Sequence, residues 1–349
     1  MKVALMPNPY NRVDLFEQAG MEVVVKPVRS VEDYVDLMKD ADGALVNTLP
    51  LTTREVMEAC PKLKVLSRMG VGVDSIDLDA ATDLGILACN VPGVNTTEVA
   101  DHAMAMLLAL TRCIPDAVNA SRRGAWADER GSSGQFQRGV RRIAGHTVAI
   151  IGFGNIGRAF SQRIRGFGPA EIIAYDPYVE QITADLYGVK MVGFDELLEK
   201  ADFITIHSSA TEETRHIIDA EALTKMKSTA ILVNTSRGPV VDGTALAEAL
   251  ASDQIQAAAL DVTEREPISS DDPLLSLPNC IVTPHIAGFS PKFLEDCPIK
   301  QAENVIRVLQ GEAPHGLANP EVIKSIAVMR ASDPGRWDGI PDFSTALDL

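Results

Sequence analysis

The chain has 349 residues, 46% of them hydrophobic and 23% charged, with a formal net charge of −16. That length suits two domains better than one, and the composition is that of a globular protein. The charge excludes the basic field that a nucleic-acid partner requires, and the longest apolar stretch, residues 103–110, is too short to cross a bilayer.

Strand-like and helix-like stretches alternate from the N-terminus. MKVALMPNPY opens directly on a strand and lacks the long apolar core and small-residue cleavage site of a leader, so no signal peptide is expected. Strands are predicted at residues 3–6, 23–25, 43–46 and 63–67, with helices at 12–19, 31–39 and 54–60. This rhythm predicts a parallel sheet covered by helices on both faces. Residues 93–98 interrupt it with loop chemistry. The next stretch, 99–112 (VADHAMAMLLALTR), reads as a helix capped by Asn95 or Thr96 and apolar on nearly every face, which demands burial on several sides. One core helix meets that demand; a hinge helix that also pairs subunits meets it better. The basic cluster Arg138, Arg141 and Arg142 reads as a solvated loop face.

A second series starts at residue 146, with strands predicted at 146–151, 172–175, 190–192, 203–207, 230–234, 257–261 and 280–282. These suffice for a complete doubly wound sheet. A helix over about 291–310 leads into a Pro- and Gly-rich stretch ending at Asn319-Pro320. The last residues, with Pro334, Gly335, Trp337, Gly339, Pro341 and Phe343, read as an irregular tail, disordered or draped over the surface. The cysteines Cys60, Cys89, Cys113, Cys280 and Cys297 are widely spaced and include no C-x-x-C pair. They predict reduced thiols in a cytoplasmic protein, with neither a disulfide framework nor a metal site.

The strand at 146–151 (HTVAII) runs into Gly152-Phe153-Gly154-Asn155-Ile156-Gly157, a helix-like stretch follows, and Asp176 closes the next strand 24 residues beyond Gly152. This is the dinucleotide fingerprint in its full context. Gly152 permits the tight turn, Gly154 lets the backbone approach a pyrophosphate, and Gly157 lets the helix pack on the sheet. The helix N-terminus then faces the phosphates. Asp176 is expected to accept hydrogen bonds from the adenosine ribose, and its charge favours NAD over NADP.

Three polar residues sit just past later strands: Arg237 after ILVNTS, Glu266 in ALDVTEREP and His285 in TPHIAG. Singly, each has an ordinary reading as a surface cation, a loop carboxylate or a packed imidazole. Together, behind a dinucleotide motif, they supply what hydride transfer to a carbonyl acid needs. That is a cation for carboxylate and carbonyl, an acid/base near neutral pH, and a carboxylate to orient the base.

These runs, together with SRMGVGVDSIDLDAA at 67–81 and NVPGVNTTEVADHAMAMLLALTR at 90–112, closely resemble the D-isomer-specific 2-hydroxyacid dehydrogenase family, from the first strand to about residue 319. The resemblance implies an α/β fold of two doubly wound Rossmann/flavodoxin-like domains with parallel sheets. Residues 1–98 plus 290–326 would form a discontinuous substrate domain, 99–289 the NAD domain, and 327–349 a tail without a family counterpart. It implies two crossing helices at the junction, a homodimer using the 99–112 region, and a small 2-hydroxy or 2-keto acid as substrate. Arg237 matches the substrate-binding arginine, Glu266 the carboxylate paired with the histidine, and His285 the acid/base. Val71 and Gly72 match the amides that hold the substrate carboxylate. Arg68 matches a second carboxylate-binding arginine found in part of the family. Asp261 matches a residue near the nicotinamide amide, and Thr235 and Ser236 line the cofactor cleft. Phe153, Asn155, Ile156, His207, Ser208, Thr214 and Gly288 complete the cofactor set.

In the implied mechanism His285 takes the hydroxyl proton as hydride leaves C2, Glu266 favours the protonated imidazole, and domain closure excludes water. Ser209 stands where many members have proline, in a loop that covers the cofactor. Glu266 stands where the formate-oxidising branch has glutamine, which argues against that branch. The family's corepressor (C-terminal-binding-protein) branch is similar around VADH and YDPY, and gives the alternative of an NAD(H)-gated binding protein with little turnover. That branch has a tryptophan where this chain has Gly288, and the catalytic three are intact here, which favours the enzyme.

Overall fold

The computed structural model describes residues 1–124 and 139–337. Arg138 of the basic cluster, and Gly339, Pro341 and Phe343 of the C-terminal stretch, lie outside the described residues. The chain divides into two compact units, Met1–Asn95 with Phe289–Leu349, and Thr96–Gly288.

Taken in chain order, the first unit begins β1 (Lys2–Leu5), α1 (Val13–Gln18), β2 (Glu22–Val25), α2 (Val31–Met38), β3 (Gly43–Val46) and α3 (Arg54–Glu58). It continues β4 (Val65–Arg68), α4 (Leu78–Asp83) and β5 (Leu87–Cys89). The second unit holds α5 (Thr96–Thr111), α6 (Ile114–Arg122), β6 (Thr147–Ile151), α7 (Asn155–Ile164), β7 (Glu171–Tyr175), α8 (Gln181–Asp185) and β8 (Lys190–Met191). Then come α9 (Phe194–Lys200), β9 (Phe203–Ile206), α10 (Ala220–Lys225), β10 (Ile231–Asn234), α11 (Gly243–Ala251), β11 (Ala257–Leu260) and β12 (Cys280–Val282). The chain returns to the first unit through α12 (Pro291–Leu309) and α13 (Val322–Ser332).

The first unit is a five-stranded parallel sheet in the order β2-β1-β3-β4-β5. Alternate residues of each strand feed opposite cores. Val3, Leu5, Leu45 and Val65 meet Phe16 of α1, Val305 and Leu309 of α12, and Val322 and Ile326 of α13. Ala4, Ala44 and Leu66 meet Tyr34, Leu37, Met57 and Ala81 of α2–α4. Both faces are covered, as a parallel sheet requires. Helix starts are fixed by side chains: Ser30 Oγ accepts the Asp33 amide at 3.1 Å, Asp77 that of Ala80 at 2.9 Å, and Ser290 that of Phe293 at 3.0 Å.

Strand β5 is absent from the elements expected from sequence; three residues give too little pattern to separate a strand from a loop. Residues 327–337 also differ from the expected irregular tail. They complete α13 and then form a 3-10 turn, Pro334–Trp337, whose indole is buried in the α1/α12 core. Burial of a large aromatic ring stabilises an order that a Pro- and Gly-rich composition conceals.

The second unit is a seven-stranded parallel sheet in the order β12-β11-β10-β9-β6-β7-β8. The chain runs outward from β6 to β8 on one side, then returns to β9 on the other. The carboxyl ends of β6 and β9 therefore flank the switch point where such sheets bind ligands. Val148 and Ile150 face one core, with α5 and α7; Ala149 and Ile151 face the other, with α9–α11. Helix α5 buries Val99, Ala100, Ala103, Met104, Met106, Leu107 and Thr111. Arg141 is not a solvated loop residue. Its guanidinium donates to the Thr229 carbonyl and to Gln256 Oε1 (3.2 Å), and lies 4.7 Å from the Phe203 ring centroid. Burial lowers its pKa, against the pull of Asp202.

Candidate active site

The glycine turn lies between β6 and α7. Gly152 has φ +87°, and a Cβ there would sit 2.5 Å from the Ser208 amide nitrogen. Gly157 is equally constrained, because a Cβ would lie 2.3 Å from the Gly152 carbonyl oxygen. Gly154 differs: a Cβ on it would meet nothing within 4 Å. Two glycines are thus required by the protein's own packing, and the third leaves open space. Gly154 also stands at the N-cap of α7, where no side chain caps the helix. The Asn155 and Ile156 amides and the helix dipole are left for an anion. Phe153 points into the core.

Asp176, just past β7, accepts the Phe153 amide at 2.8 Å on one oxygen and the Tyr178 amide at 2.9 Å on the other. It therefore fixes the turn as well as presenting a carboxylate. Tyr178 Oη donates to Glu213 Oε2 at 2.7 Å, adding a second acid beside this end of the sheet.

At the end of β9 the His207 imidazole turns into the core, against Phe160 at 5.5 Å, with Nε2 3.0 Å from Thr205 Oγ1. Burial pushes its pKa down to about 3, so the ring is neutral. Its backbone, not its ring, borders the glycine turn. Ser208 Oγ and Thr235 Oγ1 are buried without a protein hydrogen-bond partner. Such groups are costly unless something binds them. Unpartnered hydroxyls, an uncapped helix start and open space at Gly154 together fit a dinucleotide. Thr214 is occupied within its own loop, donating to the Ser209 carbonyl at 2.7 Å. Ser236 Oγ donates to Asn234 Oδ1 at 2.8 Å. His216 ties this loop to the one after β11, with Nε2 2.6 Å from Glu264 Oε1.

The three candidate catalytic residues come together. The loops after β10 and β11 interlock at Gly238, where a Cβ would lie 1.9 Å from the Thr263 carbonyl oxygen. Arg237 stands at that crossing, and its Nη1 donates to the Ser236 carbonyl at 2.7 Å. Glu266 Oε2 lies 2.7 Å from His285 Nδ1, and its Oε1 accepts the Thr263 amide at 3.2 Å. Half-burial pushes the Glu266 carboxyl up, but the His285 hydrogen bond and charge, the Thr263 amide and the Arg237 charge together hold it below its ordinary value. Both side chains remain reachable, with 42% of His285 and 36% of Glu266 exposed.

Asp261 is 1% exposed, and its carboxylate is spent on the histidine loop. It accepts from Thr283 Oγ1 (2.6 Å), the Ile286 amide (3.0 Å) and the Ala287 amide (2.8 Å). Those bonds stabilise the left-handed backbone of His285, φ +53°, an unfavourable conformation for a residue with a Cβ. His102 of α5, which the sequence reading did not single out, has Nε2 3.2 Å from Thr283 Oγ1. A histidine at the start of the helix's apolar stretch is its only signal in the sequence. Gly288 closes the same loop. In the first unit Arg68 ends β4, donating from Nη2 to Thr48 Oγ1 at 3.0 Å, and Val71 and Gly72 lie in the loop that follows.

A doubly wound sheet with this turn, and a carboxylate–imidazole pair on neighbouring strand-end loops, defines a dinucleotide-binding α/β domain. The family described as D-isomer specific 2-hydroxyacid dehydrogenase, NAD binding domain, matches residues 104–287. The chain belongs to the D-isomer-specific 2-hydroxyacid dehydrogenase family, and its cofactor is a nicotinamide dinucleotide. It is 42% identical to a glyoxylate reductase of Korarchaeum cryptofilum, over 87% of each chain. It is 40% identical to a D-3-phosphoglycerate dehydrogenase of Methanocaldococcus jannaschii over 88% of this chain, but spans only 57% of that protein's length. Among solved structures, the NADPH-dependent glyoxylate/hydroxypyruvate reductase of Sinorhizobium meliloti, in complex with NADP and malonate, superposes with a TM-score of 0.80 at 29% identity, covering 91% of this chain and 97% of that one.

Proposed function

We propose that the protein is an NAD-dependent oxidoreductase that interconverts a D-2-hydroxy acid and its 2-keto acid. The observation that carries this reading is the 2.7 Å His285–Glu266 pair, with the Arg237 charge acting on the same carboxylate. A bound nicotinamide supplies or accepts the hydride. His285 Nε2 exchanges the proton of the C2 oxygen, because Nδ1 is committed to Glu266. Glu266 fixes the ring's orientation and stabilises its protonated form. Arg237 holds the substrate carboxylate and polarises the carbonyl. Val71 and Gly72 offer amides to that carboxylate, and Arg68 offers a guanidinium.

Glyoxylate is the first substrate to try, since the match to a glyoxylate reductase runs over 87% of both chains. NAD is preferred over NADP because Asp176, seconded by Glu213 through Tyr178, would repel a 2′-phosphate. The protein acts as a cytoplasmic homodimer with the α5 region at the contact; all five cysteines are free thiols, which suits a reducing compartment.

The test is NADH and NADPH oxidation against glyoxylate, hydroxypyruvate and 3-phosphohydroxypyruvate, with His285→Ala alongside. Turnover with NADH that collapses in the variant is expected. Tight NADH binding without turnover on any of the three would favour the NAD-gated binding protein instead.

A further inference from the structure

The loop after β4 is anchored from one side by the residues that follow β5. The Val91 amide donates to the Gly70 carbonyl at 2.8 Å, and Asn90 Nδ2 donates to the Val71 carbonyl at 2.7 Å. A peptide unit is planar, with its C=O and N–H on opposite sides. The Gly70 carbonyl shares its plane with the Val71 amide, and the Val71 carbonyl shares its plane with the Gly72 amide. Two anchors on consecutive carbonyls therefore aim two consecutive N–H groups, both away from Asn90 and Val91. One anchor is backbone and tolerates any residue. The other is a side chain and requires a donor of asparagine's reach.

Asn90 is itself braced. Its amide donates to the Gly316 carbonyl at 3.3 Å, and its carbonyl accepts from Asn304 Nδ2 at 2.8 Å. Asn304, fully buried, also accepts the His315 amide at 2.8 Å. The turn at 315–316 is packed tightly against it: a Cβ on Gly316 would lie 2.6 Å from Asn90 Oδ1 and 2.5 Å from Pro92 Cδ.

We propose that Asn90 is the positioning residue that aims the Gly72 amide, beside the Val71 amide that the Val91 backbone aims, with Asn304 and the His315-Gly316 turn as its brace. This rests on the reading that those amides hold the substrate carboxylate. Asn90 acts on that carboxylate through the peptide plane it anchors.

The test compares kcat/KM for glyoxylate and for its uncharged methyl ester, at saturating NADH, in the wild type and in Asn90→Ala. Loss of the hydrogen bond that orients one of the two charge-binding amides should raise KM for glyoxylate roughly tenfold and lower its advantage over the ester by a similar factor. NADH affinity and kcat should stay close to wild type, and Asn90→Ser, a shorter donor, should restore part of the loss. A glyoxylate preference that survives intact in folded Asn90→Ala overturns the proposal alone. A wild type with no preference for glyoxylate over the ester removes the carboxylate grip, and the proposal with it. Should Asn90→Ala not fold, Gly316→Ala displaces Asn90 from behind and is expected to shift KM in the same direction; an unchanged KM there overturns the proposal equally.

Discussion

The two sheets share a plan and differ in what their strand ends offer. In the second unit the loops after β10, β11 and β12 present side-chain chemistry: a guanidinium at 237, a carboxylate at 266 and an imidazole at 285. In the first unit, Arg68 apart, the polar side chains that reach the strand ends are buried amides. Gln301 Nε2 donates to the Ser67 carbonyl at 2.8 Å, Asn304 holds Asn90, and Asn319 accepts the Ala88 amide at 2.9 Å. One sheet puts its reactive groups on side chains; the other uses side chains to shape backbone. Perturbing side chains in the second unit should therefore strike chemistry first. Perturbing those in the first should strike stability or substrate affinity.

The largest expected effect is at His285. His285→Ala should lower kcat by about 10²–10⁴-fold, the usual worth of acid–base assistance, with NADH affinity little changed. Glu266→Gln should fall part of the way, since the amide can still orient the ring but cannot stabilise its charge. Steady-state rates with glyoxylate and NADH titrations give both numbers. Equal loss in NADH binding would mean that the histidine loop is structural. The counterpart in the first unit is Trp337, 2% exposed, with Arg330 5.3 Å from its ring centroid and Arg336 Nη2 donating to the Leu63 carbonyl at 2.8 Å. Trp337→Ala should cost about 3–5 kcal/mol of stability by cavity formation. Urea unfolding measures this, and NADH affinity should be spared. An unchanged unfolding midpoint would restore the reading of this segment as a dispensable tail.

What was legible in the sequence follows the same division. The βαβ rhythm, the glycine turn and the three polar residues could be read because each is a residue type at a fixed place relative to a strand. Asp261 could be noticed but its job could not, because a carboxylate that accepts from Thr283, Ile286 and Ala287 looks in sequence like one that faces a ligand. Asn304 carries no signal at all, and Asn90 only its place at the head of the 90–112 run. They lie 214 residues apart, and an asparagine that bonds a carbonyl resembles any loop asparagine. The C-terminal segment was misread for a related reason: local Pro and Gly dominate the pattern, whereas burial of Trp337 decides the outcome.

The glycine turn offers a finer comparison, inside a single motif. Gly157→Ala places a Cβ 2.3 Å from the Gly152 carbonyl, so α7 must shift from the sheet. It should lower the melting temperature and weaken NADH binding together. Gly154→Ala meets no protein atom within 4 Å and should leave the melting temperature unchanged. Its methyl group instead occupies the space into which a pyrophosphate must come, so NADH affinity alone should fall, by roughly tenfold or more. Thermal melts with and without NADH separate the two, since a ligand that binds only the folded state raises the transition in proportion to its affinity. If Gly154→Ala binds NADH normally, the pyrophosphate does not lie against that residue.

The last effect is a slope. The His207 ring turns into the core and is neutral, its pKa lowered by desolvation from 6.5 to about 3. As pH falls through about 6.5 the unfolded chain takes up a proton at this residue that the folded chain refuses. The unfolded state then binds more protons than the native one, so stability falls with pH across that window. Below about 3 both states are protonated and this contribution to the slope ends. Gln301, Asn304 and Asn319, the buried amides of the first unit, have no proton to gain and add nothing to it. His207→Gln keeps a hydrogen-bonding group beside Thr205 but cannot titrate. Urea midpoints for the variant between pH 6.5 and 4 should therefore decline less steeply than for the wild type, by at most one proton's worth of slope. Parallel declines would mean that the acid sensitivity arises elsewhere, with the lowered carboxyl of Glu266 the next group to test. A group lowered in the folded state contributes stability above its ordinary value and loses it as pH falls through the lowered one, so that contribution would fade at more acid pH than the onset due to His207.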